Sequence, residues 1–399
     1  MNTQEYPEQK NSPSSPQSGL IYMGSLYSVL FFIFLIPWAD GFSDGLVRVF
    51  GILAFGISSL LFVTTGTHKN YTYFHFLVLL LWAWIILSVA WSPNLKAGLE
   101  FAPRLFQIML LPFLFTLIIT NKKSIIMAYQ SYVLGNVVGS MIIIYNFLHG
   151  IQSPYYNRYT IQNIETDTMS IILALAVPIA AYLTSTLKRK WGRVANTFFI
   201  PLIIFAIFLT GTRTGSIVAV IGVLYWLFTY RKASIPIKLS IVILFIISIF
   251  IVANYAPKAS LERVFSAGKS LKSGDLNYRT VIWQTSLEQW KQSPIIGTGL
   301  GGLGDVLSEK HVNYEAAHNT HIQILTENGI IGVFIYILLE LSVILVILYT
   351  SPQDKAFLLS LMLAVLVSQL TLHTHTQKET WFVLTMIVIH SSLSSKRNM

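Results

Sequence analysis

The chain has 399 residues, of which 54% are hydrophobic and only 11% are charged, and its formal net charge is +10. A soluble protein carries roughly 25% charged residues, so this composition argues strongly against a soluble enzyme and indicates a polytopic membrane protein. In that class a positive balance is expected from loop Lys and Arg residues that set orientation, rather than from nucleic-acid binding. The lack of cysteine excludes thiolate catalysis, disulfides and Cys-based metal sites.

The N-terminal residues 1–19 are polar and rich in Pro, Ser and Gln, which predicts a disordered tail. They lack the basic start and short apolar run of a cleaved signal peptide. The remainder contains apolar segments close to the length of about 20 residues that a membrane span requires. These segments predict an all-α protein with twelve spans, at about 20–38, 46–65, 72–91, 104–120, 124–148, 168–186, 194–211, 214–230, 238–254, 330–350, 354–373 and 379–394.

Basic residues are distributed unevenly between the short loops. With a cytoplasmic N-terminus, the inner loops hold clusters at 122–123, 188–193 and 231–238, whereas the outer short loops hold scattered single Lys and Arg residues. The positive-inside rule then predicts that both termini are cytoplasmic. The predicted organisation is a cytoplasmic tail (1–19), nine spans (20–254), one long outer loop (255–317), and three spans with a short cytoplasmic tail (318–399).

The outer loop is long enough to indicate a function. Asn277 is placed to cap a helix that begins near Tyr278. Ser293-Pro294 would end this helix, and a glycine-rich turn follows at 297–304. The loop is interpreted as an amphipathic helical cap on the outer face of the bundle. Near-helical spacing predicts that one face of the helix carries Arg279, Trp283, Leu287 and Trp290.

His318 and Asn319 stand where the outer loop re-enters the membrane, and Gly329 and Gly332 follow after nine residues. Polar groups at that depth cost free energy and usually mark a site. The two glycines permit a helix break and a close helix contact just before the next span. A histidine that only caps a helix or reaches the interface is the alternative interpretation, but the surrounding segment favours a functional imidazole.

Three arginines are candidates for binding an anion. Arg213 lies in Gly211-Thr-Arg-Thr-Gly215 between two apolar segments, where a permanently charged guanidinium must face a cavity, an anion or lipid headgroups. The flanking glycines and threonines favour an anion pocket over a headgroup anchor. Arg279 precedes Trp283 by one turn of the predicted helix, and a solvated charge is its alternative. Arg158 is the only strong base at 149–167.

Four other patterns are weaker indications of a functional site. The segment 297–302 matches G-x-G-x-x-G but lacks the strand–turn–helix unit of a nucleotide site. His373 and His375 allow a metal site, although a solvated helix end is favoured. Asp40 and Asp44 would suit a divalent cation, yet two carboxylates without a third ligand are more often a loop cap. We expect the intramembrane Glu340 to be paired within the bundle rather than catalytic.

Together these residues resemble the O-antigen ligase and polymerase superfamily. The matching stretches are Gly211–Gly215, Tyr278–Trp283 through Gly297, and His318-Asn319 with Gly329 and Gly332. The last stretch has the family's H-N, nine-residue gap and G-x-x-G pattern. Twelve spans with one large, late periplasmic loop also match. The resemblance implies a bacterial inner-membrane protein with a periplasmic active site and a fold related to the GT-C class.

The resemblance further implies metal-independent, inverting transfer of polysaccharide from undecaprenyl pyrophosphate to a sugar of the lipid A–core, without a cofactor. His318 would be the catalytic base, and Arg213, Arg279, Arg158 and Asn319 would bind substrate. An O-antigen polymerase, which joins lipid-linked repeat units, is the first alternative. A transporter of lipid-linked glycans is the second, although the candidates cluster at one face while the spans are nearly uncharged, which argues against transport.

Overall fold

The computed structural model describes residues 19–43, 45–65, 71–154, 157–229, 250, 279–310 and 316–395. Their long regular elements are α-helices, as predicted. In chain order these are α1 Leu20–Leu35, α2 Leu46–Thr65, α3 Tyr73–Leu87, α4 Leu95–Ile118, α5 Lys122–Leu148, α6 Thr166–Thr186, α7 Lys190–Leu209, α8 Arg213–Thr229, α9 Arg279–Trp290, α10 Gly302–Glu309, α11 Thr320–Leu348, α12 Pro352–Gln369 and α13 Lys378–Ser395.

Seven of the described helices, α2 to α7 and α11, are long and apolar enough to cross a membrane. Helices α1 and α8 are apolar but shorter. The predicted class of multi-pass membrane protein is therefore confirmed. The predicted count of twelve is not confirmed, and the span expected at 238–254 falls outside the described residues.

Helix α6 forms the centre of the bundle, with 89% of its apolar stretch buried. It packs against α5, α7, α8 and α12. Two glycines of α8 permit the closest approach, because a Cβ on Gly215 would lie 2.5 Å from Ser170 Cβ and one on Gly222 would lie 2.7 Å from Pro178 Cδ. These two contacts show that α6 and α8 run parallel and begin at the same end of the bundle.

Several loops meet at that same end, which we call the site end. Lys378, at the start of α13, forms an ion pair with Asp40, which follows α1. The Ser92 hydroxyl, beyond α3, donates to the Leu300 carbonyl at 2.8 Å. The site end therefore collects the loops that the charge pattern assigned to the outer side. Asp40 pairs with a lysine there, and Asp44 lies outside the described residues.

Helix α11 is a hairpin of two arms rather than one rod. Gly329 has φ 67° and ψ −167°, which interrupts the helix. His321 Nε2 lies 3.1 Å from Glu340 Oε2, although residues so far apart in sequence would be separated by about 28 Å along a straight helix. The arm at 320–328 therefore folds back along the arm at 330–348. The predicted break at Gly329 and the predicted pairing of Glu340 are both confirmed.

The glycine-rich turn docks onto this break. The N–H groups of Thr298 and Gly299 donate to the carbonyls of Thr326 and Glu327 at 2.9 and 2.8 Å. These bonds satisfy carbonyls that the broken helix leaves without an intrahelical donor. A Cβ on Gly329 would lie 2.2 Å from the Ile295 carbonyl oxygen, so only glycine fits this junction. The predicted turn is confirmed, and helix α10, which follows it, was not predicted.

The face that α9 buries differs from the predicted one. Ile282, Thr285 and Ser286 are buried, whereas Leu287 is 37% exposed, so the prediction that Leu287 lies on the packed face is wrong. The reason is tertiary, because Ile282 packs against α10 and Ala317 in a small apolar cluster of their own. The helix also ends at Trp290 rather than at Ser293. The expected Asn277 cap lies outside the described residues.

Candidate functional site

Asp167 joins two of the three predicted arginines. Its carboxylate lies in the first turn of α6, 3.4 Å from Arg158 Nη1 and 3.8 Å from Arg279 Nη2. Arg158 is only 6% exposed and also donates to the Thr166 hydroxyl at 3.2 Å. Two guanidinium groups thus lie beside one carboxylate, and guanidinium groups bind phosphate as well as carboxylate through charge-assisted hydrogen bonds. Sequence reasoning missed Asp167, whose only signal was an acidic residue at a helix start soon after Arg158.

Arg213 begins α8 at the same level of the bundle. Because Gly215 contacts Ser170 and the two helices run parallel, Arg213 lies beside the first turn of α6, which carries Asp167. The loop of Arg158 is tied to this corner as well, since the Tyr159 N–H donates to the Leu209 carbonyl at 3.2 Å. The site end therefore contains all three predicted arginines.

His318 lies within electrostatic reach of this cluster. Burial lowers the pKa of its half-buried imidazole below the ordinary value, the Arg279 guanidinium lowers the pKa further, and the Asp167 carboxylate acts in the opposite direction. The net lowering favours a neutral ring near pH 7, which is the form that accepts a proton. His318 also has φ +48°, a left-handed conformation that is uncommon for residues other than glycine. Residues in this conformation are enriched at functional sites.

The residues on either side of His318 are firmly held. The Trp283 indole N–H donates to the Ala317 carbonyl at 2.9 Å, and the Ala317 N–H donates to Gln323 Oε1 at 2.7 Å. On the other side, Asn319 accepts from the Ile322 N–H at 3.0 Å and donates to the Leu370 carbonyl at 3.2 Å. Asn319 is thus the N-cap of α11, a role that the sequence did not indicate.

Two further histidines lie close to this site. The ring centroids of His373 and His318 are 6.1 Å apart in an edge-to-face arrangement. Burial, together with the neighbouring His318, lowers the pKa of His373 to about 4. His375 is 4% exposed, and burial lowers its pKa to about 3, with smaller contributions from His373 and His321. The solvated helix end predicted for this pair is therefore wrong for His375, because the short turn at 374–376 folds inward against the bundle.

A cavity of about 2650 Å³ joins the polar and apolar parts of the site end. Its polar wall includes Asp167, His318 and His373. It continues along α1, α2, α4 and α5, where the lining includes the apolar side chains Phe32, Phe55, Leu111, Leu114 and Met141. Pockets for small ligands have volumes of roughly 300–1,000 Å³. This cavity is larger, and its two kinds of lining suit an amphipathic molecule.

Residues 198–337 match the family model described as O-antigen ligase. Over this segment the chain is similar to the O-antigen ligase family. The matched segment contains Arg213, Arg279, His318 and the break at Gly329, whereas Arg158 and Asp167 precede it. The superfamily inferred from the sequence motifs is thereby confirmed.

The chain also resembles the general O-oligosaccharyltransferase of Acinetobacter baylyi, with 27% identity over 200 residues. The alignment covers 45% of this chain and 34% of that relative. The chain thus matches about a third of the length of the relative. The two comparisons agree on a family of membrane enzymes that transfer glycosyl or oligosaccharyl groups.

Proposed function

We propose that the chain is an O-antigen ligase, which transfers polysaccharide from undecaprenyl pyrophosphate to a sugar of the lipid A–core. The observation that carries the proposal is that His318 and Asp167 line one amphipathic cavity, with Arg158 and Arg279 paired to Asp167. The family match supports glycosyl transfer. The donor, the acceptor and the roles of individual residues are parts of the proposal.

The donor diphosphate binds to Arg279, Arg213 and Arg158. A hydrogen bond between a guanidinium and a phosphate oxygen contributes about 1.5–3 kcal/mol. The contribution matters most as the bond between the sugar and the diphosphate breaks, because the bridging oxygen then gathers negative charge. Arginine stays charged at any physiological pH, so these groups supply fixed compensation for the leaving group. Asp167 keeps two of them in place before the donor arrives.

His318 accepts the proton of the acceptor hydroxyl as that oxygen attacks the anomeric carbon. The carbon–oxygen bond to the diphosphate breaks on the opposite face, and its electron pair stays with the diphosphate, so the configuration inverts. A base of this kind contributes about 10²–10⁴-fold. The low pKa of His318 keeps the ring neutral and ready to accept. Asn319 contributes by fixing the start of α11 beside the bound substrate.

The cavity accounts for two lipid-linked substrates. Its apolar region between α2, α4 and α5 accommodates polyprenyl or acyl chains, while its polar wall holds the reacting groups. Helix α9 is tied to Ala317, the residue before His318, through Trp283. In this proposal it limits access of water, which would otherwise act as the acceptor. We propose that the site end faces the periplasm of a bacterial inner membrane, because the basic clusters at 122–123 and 188–193 lie at the other end of the described helices.

A second candidate differs only in the acceptor. The relative from Acinetobacter baylyi is a general O-oligosaccharyltransferase by name, and the second candidate takes a protein hydroxyl in place of the core sugar. The proposed base serves either acceptor, since both present an alcohol. The end product therefore discriminates between the two candidates better than the geometry of the site.

Deletion of the gene followed by gel analysis of lipopolysaccharide and of glycoproteins tests the acceptor. Loss of a ligase leaves bare core and accumulates lipid-linked polymer. Loss of only glycoproteins would instead favour the protein acceptor, and core bearing single repeats would favour the polymerase. Single units stranded on the cytoplasmic side would favour the transporter.

The role of His318 requires purified protein in nanodiscs with a lipid-diphosphate glycan. His318→Ala should abolish transfer and leave donor binding intact. His149→Ala is the matched control, because His149 is exposed and bonds only its own helix within the described contacts. Full activity of His318→Ala would overturn the assignment of the base.

A further inference from the structure

Glu327 is a buried carboxylate that the proposed chemistry does not use. It is 5% exposed and lines the cavity from the first arm of α11. Burial of a charge costs free energy unless the charge is compensated by hydrogen bonds. Glu327 accepts from Gln323 Nε2 at 2.7 Å and from the backbone N–H groups of Gly301 and Leu303 at the start of α10. The hairpin and the glycine turn are therefore built around this carboxylate.

Two hydrogen bonds determine the orientation of Gln323. A side-chain amide can present either its NH₂ or its carbonyl to a neighbour, but a backbone N–H only donates. The Gln323 carbonyl accepts from the Ala317 N–H at 2.7 Å, which leaves its NH₂ to donate to Glu327 Oε1 at 2.7 Å. The hydrogen-bonded chain runs from Glu327 through Gln323 to the residue that precedes His318.

The peptide at Ala317 is clamped on both sides. Its N–H donates to Gln323, and its carbonyl accepts from the Trp283 indole at 2.9 Å. The next residue, His318, has φ +48°. A left-handed conformation in a residue with a Cβ persists only where the surrounding structure enforces it. The two bonds to Ala317 supply that enforcement immediately before the strained residue.

We propose that Gln323 and Glu327 are positioning residues, which hold the His318 imidazole at the angle needed to accept a proton. The inference deepens the proposed function and rests on it, because it takes His318 as the base. In this proposal neither residue contacts the reacting atoms. They act through Ala317, and their correct pairing needs one amide and one carboxylate.

Exchange of the two side chains is the sharpest test. In Glu327→Gln, the new amide cannot accept from both Gln323 and the backbone N–H groups without placing its own NH₂ against a donor. In Gln323→Glu, two carboxylates face each other and need a shared proton. In the double variant Gln323→Glu/Glu327→Gln, the pair is restored in reverse, since the carboxylate introduced at position 323 accepts from Ala317 and from the amide introduced at position 327. The hydrogen bonds that join the two exchanged side chains to each other and to the Ala317 N–H are then restored.

Each variant is assayed as the full chain in nanodiscs with a lipid-diphosphate glycan and acceptor. Both single variants should lower kcat by about 10–100-fold, because small displacements of a catalytic group have effects of that order. KM for the donor should stay unchanged, and the double variant should recover most of the lost kcat. Gln323→Glu should also lose activity as pH rises, when the shared proton is released. Gln284→Ala, on the exposed face of α9, is the control and should behave as the wild-type protein.

A readout that does not depend on transfer separates the two proposals. Diethyl pyrocarbonate modifies neutral histidines, and mass spectrometry gives the rate at His318 without any substrate. The single variants should change that rate, and the double variant should return it toward the wild-type value. Wild-type rates and kcat in both single variants would overturn the positioning role while leaving the proposed function intact. If the wild-type protein fails to transfer glycan while the variants still show the expected pattern of modification rates at His318, the proposed function is overturned but the positioning of His318 is supported.

Discussion

Replacement of Gly329 by alanine should unfold the hairpin that carries His318 into the bundle. At φ 67° and ψ −167° the backbone occupies a region that is essentially restricted to glycine, and placing another residue there costs about 1–3 kcal/mol. The added Cβ would also meet backbone atoms, at 2.2 Å from the Ile295 oxygen and 2.6 Å from the Ile296 nitrogen. A backbone neighbour cannot move aside by rotating a side chain, so the junction must open.

Opening the junction removes further contacts. The N–H groups of Ile330 and Ile331 donate to the carbonyls of Pro294 and Ile295 at 2.9 and 3.4 Å. Each of these hydrogen bonds contributes about 0.5–1.5 kcal/mol. Together with the conformational cost, Gly329→Ala should lower the free energy of unfolding by roughly 2–6 kcal/mol.

The assay is thermal unfolding of the purified protein in detergent, followed by tryptophan fluorescence, with glycan transfer measured in parallel. Gly56→Ala is the matched control, because a Cβ on Gly56 in α2 meets nothing within 4 Å. In that helix, alanine should be neutral or stabilising by about 1 kcal/mol. If Gly329→Ala keeps the melting temperature and the activity of the wild type, the hairpin at Gly329 does not determine the position of the site residues, and the reasoning is refuted.

Three further predictions concern the charges of the site. Arg279→Met should raise the pKa of His318 and move the acidic limb of the kcat–pH profile to higher pH. Asp167→Asn should lower the same pKa and move this limb to lower pH. Shifts of both variants in the same direction would contradict the assignment of His318 as the base. Arg213→Ala should weaken donor binding by about 10–150-fold, the equivalent of about 1.5–3 kcal/mol. Arg193→Ala, at an exposed position in the first turn of α7, should leave binding unchanged in a titration. Transfer should persist in excess EDTA, and a loss of activity that magnesium restores would count against compensation by arginine alone.

Patterns within short stretches of sequence predicted the features that depend on neighbouring residues alone, namely the helices, the break at Gly329 and the candidate His318. The apolar segments give the helices because an unpaired backbone is costly in lipid. Gly329 gives the break because it adopts a conformation that other residues avoid. The re-entry of a polar His-Asn pair into an apolar context was sufficient to select His318, since polar groups at such depth are rarely incidental.

The features that were not predicted depend on contacts between segments that are distant in sequence. Asp167 sits in an ordinary helix start, and only the fold brings it between Arg158 and Arg279. The buried face of α9 was wrongly predicted because Leu287 fits a helical stripe equally well, yet Ile282 is the residue that meets α10. His375 looked solvated because its segment is polar, and its burial follows from the inward fold of the turn before α13.

The most direct test of the central claim is a cryo-EM structure of the protein with a lipid-diphosphate glycan bound. We predict the diphosphate within hydrogen-bonding distance of Arg279 and Arg158, near Arg213, with the His318 ring facing the anomeric carbon across space for a hydroxyl. We also predict the lipid chain along α2 and α4. A diphosphate at the opposite end of the bundle, or remote from His318, would contradict the proposed mechanism.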